Sequence, residues 1–140
     1  QVFDDYMEHR NGVPPRDITM VSWLPFYHDM GLIVGVFIPM MLGKPAVLMS
    51  PVAFMQKPAR WMQQLGSNTS AFTAAPNFAF ALAAQRGLPP QGEPLDLSNV
   101  KGLINGSEPV SVAAIARTAS VIALVDAAYA ATMSAFARPR

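Results

Sequence analysis

A histidine and an acid stand side by side in the segment LPFYHDMGL, residues 24–32. This segment follows an apolar, β-branched run that predicts a buried strand. A histidine at a strand exit can bind an anionic ligand, act as acid or base, or serve as a flat gate, which makes His28 a candidate catalytic residue. Asp29 could orient the imidazole or cap the next helix, and Gly31 would allow a close backbone approach. The alternative is structural: a capping aspartate beside a half-buried histidine that bonds to backbone.

A second candidate site lies in the segment NGSEP, residues 105–109, which follows the last predicted strand. Gly106 and Ser107 precede a helix that begins with proline, so their backbone N–H groups could bind a phosphate or the edge of a nucleobase. The alternative is an ordinary strand-to-helix turn in which the serine is a cap.

The segment PNFAF, residues 76–80, could form the wall of an apolar tunnel with Asn77 as its polar group. Its alternative is plain core packing. Trp23, Phe26 and Tyr27 are predicted to belong to the core.

Composition excludes several other classes of function. The chain has 140 residues, a net charge of +1 and no basic cluster, so we expect no nucleic-acid partner. Cysteine is absent and the two histidines have no ligand at helical spacing, so no metal site is predicted. The longest apolar run, residues 31–43, is shorter than the roughly 20 residues that cross a bilayer, so no membrane span is expected.

Strands and helices alternate along the sequence. Alternation of this kind predicts an α/β fold with a mainly parallel sheet covered by helices. Ligands of such sheets gather outside the carboxyl ends of the strands, where both candidate loops fall. The predicted strands cover residues 18–24, 45–50, 70–75 and 99–105.

Four segments, in this order and at close to this spacing, resemble the fatty-acyl-AMP ligases among the adenylate-forming enzymes. The likeness covers roughly residues 13–115, and it is specific because it extends well beyond one short motif. The segments are VSWLPFYHDMGL, PAVLMSPVAFMQKPARWMQQL, SAFTAAPNFAFALA and LINGSEPV.

The resemblance implies an enzyme that activates a fatty acid with ATP and Mg²⁺ to an acyl-adenylate. The acyl group then passes to an acyl carrier protein or polyketide synthase. The resemblance places His28 at the junction of acyl carboxylate and α-phosphate, and Asn77 and Phe78 along the acyl channel. It favours binding over turn structure for both loops, and leaves Phe78 open between channel and core. The loop against the adenine would comprise Gly106, Ser107, Glu108 and Pro109.

The resemblance also sets expectations for the domain organisation. Residues 1–117 would be a part of the AMP-binding N-terminal domain, and residues 118–140 an alanine-rich helical tail that departs from the family. No Tyr-Gly-x-x-Glu motif follows Pro109, and no glutamate follows Glu108. We therefore expect a truncated piece without adenylation activity of its own, in a cytoplasmic location. Two alternatives stay open: a non-catalytic lipid- or nucleotide-binding remnant, and an interaction or misfolded product.

Overall fold

The computed structural model describes residues 17–87 and 95–106. Within them a four-stranded, all-parallel sheet has the strand order β2-β1-β3-β4. The predicted α/β class and parallel sheet are confirmed. Each observed strand lies inside the range that the sequence predicted for it. The strands are β1 (Thr19–Ser22), β2 (Ala46–Leu48), β3 (Ala71–Ala75) and β4 (Val100–Asn105).

Helices fill the connections between consecutive strands. Ser50 caps α3, since its hydroxyl accepts a hydrogen bond from the Ala53 N–H at 3.1 Å. Between β1 and β2 the helical segment changes to a π-helix over five residues, which the sequence pattern did not predict. The helical elements are α1 (Asp29–Leu32), the π segment (Ile33–Phe37), α2 (Ile38–Leu42), α3 (Pro51–Gln56), α4 (Ala59–Ser67) and α5 (Asn77–Arg86).

Helices cover both faces of the sheet, as a parallel sheet requires. On one face Met20 and Phe72 pack against Val34 and Ile38 of the first crossover. On the other face α3, α4 and α5 contribute to one larger core. Its largest buried side chains are Trp23, Phe54, Trp61, Met62, Leu65 and Phe80.

The strands β1 and β3 are joined near their carboxyl ends by a side chain. Their backbone register covers Thr19 opposite Ala71 and Met20 opposite Phe72. At the next position the Thr73 hydroxyl donates to the Val21 carbonyl at 2.7 Å and accepts from the Trp61 Nε1–H at 3.2 Å. One buried hydroxyl therefore serves two polar groups that have little access to water.

Replacing Thr73 by valine is expected to lower the free energy of unfolding by about 2 kcal/mol. Valine keeps the shape but leaves a buried acceptor and a buried donor without a partner, each at a cost of about 1–3 kcal/mol. Urea unfolding followed by circular dichroism measures the change. The control Thr73→Ser retains the hydroxyl and should lose less. A valine variant as stable as the original chain would contradict the role of this hydroxyl.

Candidate functional site

The topology of the sheet selects one place for a ligand. The chain runs from β1 to β2 on one side, then crosses to β3 on the other side of β1. Ligands of open α/β sheets bind where the strand order reverses, outside the carboxyl ends of the strands. Here that place is the crevice between the exits of β1 and β3. The loop that contains His28 leaves β1 there, and Asn77 and Phe78 follow β3.

The first loop forms a tight turn that ends in helix α1. The His28 N–H donates to the Pro25 carbonyl at 3.1 Å. A Cβ at Gly31 would lie 2.3 Å from the same carbonyl oxygen, so only glycine fits there. The expected close backbone approach at Gly31 is found, and it is to this loop itself.

His28 and Asp29 both contact the Met30 N–H in the first turn of helix α1. The Met30 N–H lies 3.2 Å from His28 Nδ1 and 2.7 Å from Asp29 Oδ1, and Nδ1 lies 2.9 Å from the same carboxylate oxygen. When Nδ1 accepts the bond, the ring proton is on Nε2. The doubly protonated ring also carries a proton on Nε2. In both forms Nε2 can donate to an anionic oxygen.

The residue that caps this helix is His28 rather than Asp29. The structural alternative for this loop is therefore found in part: the histidine is bonded to backbone, but the cap is His28 and not the aspartate. Capping uses Nδ1, and the side chain is 41% exposed. A role as cap and a role as ligand donor through Nε2 are compatible.

The prediction that Phe26 and Tyr27 belong to the core is wrong, whereas Trp23 is buried as predicted. Phe26 is 54% exposed and Tyr27 is 93% exposed. The turn after Pro25 carries both rings away from the sheet, which sequence hydrophobicity alone does not reveal. With Leu24 and Pro25 they line one side of an open, mainly apolar cleft of about 590 Å³; residues 48–52 line the other side.

This cleft lies between the exits of β1 and β2, and His28 is not among its lining residues. Only one of its residues, Tyr27, is titratable. The polar groups that can recognise an anion lie at the β1–β3 crevice instead. We therefore place the candidate site at the crevice, with the cleft beside it.

The exits of β3 and β4 are joined by hydrogen bonds. The Asn105 Nδ2–H donates to Asn77 Oδ1 at 2.7 Å, and the Gly106 N–H donates to the Ala75 carbonyl at 3.3 Å. Asn105 pairs with Ala75 in the register of the sheet. The segment before the predicted adenine loop is thus fixed to the start of α5.

The histidine loop and the glycine turn lie at the same edge of the sheet. A Cβ built on Gly106 would lie 3.9 Å from Met30 Sδ, two residues beyond His28. Ser107, Glu108 and Pro109 lie outside the described residues, so their predicted contacts with adenine stay a prediction. The roles of His28, Asn77, Phe78 and Gly106 also stay predictions.

Phe78 is more exposed than the two residues that follow it in α5. Its side chain is 49% exposed, whereas Ala79 and Phe80 are buried. Its ring lies edge-on to Trp23, with centroids 6.0 Å apart. Plain core packing therefore describes Ala79 and Phe80 but not Phe78.

Sequence reasoning missed three residues at this edge: Trp23, Met30 and Asn105. The sequence pattern predicts Trp23 only as a core residue, and it indicates no role for Met30. Asn105 ends the last strand directly before Gly106. Its position at a strand exit was the signal that could have identified it.

In the described ranges, the acidic side chains do not form a cluster of the kind that holds a metal ion. Within residues 17–87 and 95–106 no three His, Asp or Glu side chains form a group that could hold a metal ion. Hydrogen bonds from the Ser98 backbone and hydroxyl lower the pKa of Asp96, but Asp96 precedes β4 and so lies at the opposite edge of the sheet. None of the helices in these ranges is long and apolar enough to cross a membrane.

Comparison with known proteins places this arrangement in a family. The model of the AMP-binding enzymes matches residues 1–135. The chain belongs to the AMP-binding enzyme family. The predicted boundary between residues 117 and 118 lies outside the described residues and stays a prediction.

Relatives within the AMP-binding family agree with the resemblance seen in the sequence. The long-chain-fatty-acid–AMP ligase FadD28 of Mycobacterium tuberculosis is 50% identical over 119 residues, which are 85% of this chain and 20% of FadD28. FadD25 of the same organism, which is named as a fatty-acid–CoA ligase, is 51% identical over 117 residues, 84% of this chain and 20% of FadD25. The chain spans about a fifth of the length of the curated relatives that it matches.

A solved structure shows the same fold. The fatty acyl-adenylate ligase from Legionella pneumophila, in complex with acyl adenylate and pyrophosphate, aligns with a TM-score of 0.70 at 29% identity. The alignment covers 87% of this chain and 21% of the ligase. The sheet and its crossovers are therefore those of an AMP-binding enzyme.

Proposed function

We propose that this chain is part of a fatty-acyl-AMP ligase and that its β1–β3 crevice holds the reacting acyl carboxylate and α-phosphate. One observation carries the proposal: His28, Asn77 and Gly106 each follow the carboxyl end of a strand, so all three lie at the edge of the sheet where ligands of this fold bind. This edge belongs to a chain that is 50% identical over 119 residues to a long-chain-fatty-acid–AMP ligase.

The reaction joins two anions, which defines what this edge must supply. A carboxylate oxygen attacks the α-phosphorus of ATP, the bond to the β-phosphate oxygen breaks, and pyrophosphate leaves. Negative charge gathers between carboxylate and phosphate, so a donor fixed there lowers the barrier. We assign that donor to the Nε2–H of His28, held by its Nδ1 contacts at the helix start.

The remaining assignments follow from position. Phe78, half-exposed beside Trp23, would contact the first part of the acyl chain. Gly106 leads into the predicted adenine loop, with its position fixed through Ala75 and Asn105. Mg²⁺ is expected with ATP in this family. None of the roles assigned to these residues depends on it, and the described residues contain no cluster of three His, Asp or Glu side chains that could hold a metal ion.

Transfer of the acyl group to a carrier-protein thiol is the further step that the family resemblance implies. No described contact addresses the acceptor, so the carrier protein enters as part of the proposal. The fatty acid and ATP are the substrates that the crevice itself would bind.

A chimera tests the proposed function. The matched segment of FadD28 is replaced by the corresponding residues of this chain, and pyrophosphate exchange is measured with dodecanoate. We expect exchange that depends on fatty acid, at a rate within roughly tenfold of unmodified FadD28, since half of the exchanged residues are identical. The separate 140-residue chain serves as a control and is expected to give none.

A chimera that folds by circular dichroism but gives no exchange would contradict the proposal. If the chimera does not fold, a second measurement still tests the proposal. The separate chain is titrated with a non-hydrolysable acyl-sulfamoyl-adenosine, and its tryptophan fluorescence is followed, since Trp23 lies at the crevice. Binding without exchange in a folded chimera would favour the alternative of a non-catalytic lipid- or nucleotide-binding remnant.

A further inference from the structure

A buried hydrogen-bond donor without a partner lies at the candidate site. Trp23 is only 4% exposed, and its Nε1–H has no acceptor in the part of the chain that the structure describes. Buried polar side-chain groups nearly always have a partner, so an exception needs an explanation. An unpaired donor beside a binding crevice indicates that its acceptor arrives with a ligand.

The other tryptophan, Trp61, shows that a buried indole N–H can have an acceptor in this fold. Trp61 belongs to the same aromatic cluster as Trp23, with ring centroids 6.2 Å apart. Its Nε1–H donates to the Thr73 hydroxyl, which in turn donates to Val21. The two tryptophans thus differ in polar partners although both are buried. Within residues 17–87 and 95–106, Trp61 has an acceptor and Trp23, at the strand exit, has none.

Two aromatic side chains contact the Trp23 ring, one of them buried and the other half-exposed. Phe54 stacks on the indole with ring centroids 4.1 Å apart and planes 12° apart, and Phe54 is fully buried. Phe78 contacts the indole edge-on and is half-exposed. Phe78 is therefore the side chain that a ligand entering from the crevice would meet and turn aside.

A second unpaired group lies at the same edge of the sheet. Among the described residues, buried Asn105 Oδ1 has no hydrogen-bond partner, while the amide nitrogen of the same side chain is bonded to Asn77. The third such atom among the described residues, Asn99 Oδ1, precedes β4 and lies at the opposite edge. Two of the three unpaired buried atoms among the described residues therefore lie at the carboxyl end of the sheet.

We infer that Trp23 is a specificity-determining residue whose indole N–H binds an oxygen atom on the acyl chain. The favoured substrate would then be a hydroxy- or oxo-substituted fatty acid rather than a plain aliphatic one. A plain chain has no acceptor for this donor, whereas a hydroxyl or keto oxygen has one. The inference rests on the proposed function, because it assigns the acyl chain to this crevice.

The test compares substrates in the FadD28 chimera. Pyrophosphate exchange is measured with dodecanoate, 2-hydroxydodecanoate, 3-hydroxydodecanoate and 3-oxododecanoate. At least one oxygenated acid should show a kcat/KM roughly tenfold above that of dodecanoate, the size expected of one buried hydrogen bond. In Trp23→Phe, which keeps an aromatic ring on Phe54 but removes the N–H, this ratio should fall to about one.

The ratio separates recognition from general damage to the fold. Trp61→Phe is the matched control: it removes the other indole N–H, so the ratio should stay near tenfold even if stability falls. An active chimera whose ratio is the same with and without the Trp23 N–H would overturn the inference alone. A folded chimera inactive with all four acids would contradict the proposed function and this inference with it.

A direct observation uses the 140-residue chain itself. It contains two tryptophans, so its ¹⁵N spectrum has two indole N–H signals, and Trp23→Phe identifies which belongs to Trp23. Adding 3-hydroxydodecanoate or 3-oxododecanoate should move the Trp23 signal downfield, and dodecanoate should move it less. Equal shifts with all acids would show that the donor does not recognise the oxygen.

Discussion

The variant Gly102→Ala is expected to lower the free energy of unfolding of the chain by about 3 kcal/mol. A Cβ at this position would lie 1.8 Å from Cδ2 and 2.0 Å from Cε2 of Phe72, the residue opposite it in the sheet. Phe72 is itself buried between the strands and the first crossover, so its ring cannot move without disturbing Met20 and its neighbours. Overpacking of this kind typically costs about 1–3 kcal/mol, and these contacts place the variant at the upper end.

Three further variants show whether the ring is the cause: Phe72→Val alone, Phe72→Val combined with Gly102→Ala, and Gly106→Ala. Phe72→Val has no δ carbon, so adding it to Gly102→Ala should restore part of the loss. Residues in contact commonly show a coupling of about 0.5–3 kcal/mol in such cycles. Gly106→Ala is the matched control, because its Cβ would find no atom of the described residues closer than 3.9 Å; its effect should stay within about 0.5 kcal/mol. Urea unfolding of all four variants gives the values, and additive losses would exclude the clash.

The variant His28→Ala is expected to lower kcat/KM of the FadD28 chimera roughly 100-fold. The reason is the loss of a charge-assisted hydrogen bond at the point where carboxylate and α-phosphate meet, worth about 1.5–3 kcal/mol. Pyrophosphate exchange at varied ATP and dodecanoate concentrations provides the measurement. The decrease should lie mainly in kcat, since the donor acts where charge gathers during the reaction.

His28→Asn separates catalysis from helix capping. Asparagine is among the best capping residues, so its side-chain oxygen can accept from the Met30 N–H as Nδ1 does. It has no group at the position of Nε2. We expect His28→Asn to unfold at the same urea concentration as the original chain and to be as inactive as His28→Ala. Full activity in the asparagine variant would mean that His28 is only a cap.

The local sequence was sufficient to predict the elements. The apolar, β-branched run before Pro25 becomes strand β1, and Ser50 before Pro51 is the combination expected at a helix start, which the structure contains at α3. These signals act between residues a few positions apart, through backbone angles, caps and turn chemistry. The boundaries of the strands were less accurate, because hydrophobic side chains continue beyond the last hydrogen-bonded residue.

The site itself depended on contacts that no local pattern encodes. Thr73 binds the carbonyl of Val21, 52 positions away, and Asn105 binds Asn77, 28 positions away. These pairs exist because β3 lies beside β1 and β4 lies beside β3. A parallel sheet with a different strand order would bring other residues together. The same order decided that Phe26 and Tyr27 face outward and that Phe78 covers Trp23.

The sequence by itself determined which segments become strands and helices, and its motifs identified the family. Only the tertiary structure decided that His28 caps a helix while its Nε2 can still donate, and that Trp23 keeps an unpaired N–H beside the crevice. The physical reason is how far apart the interacting residues lie along the sequence. Secondary structure follows from interactions within a few residues. The partners of a buried polar group follow from which strands lie side by side.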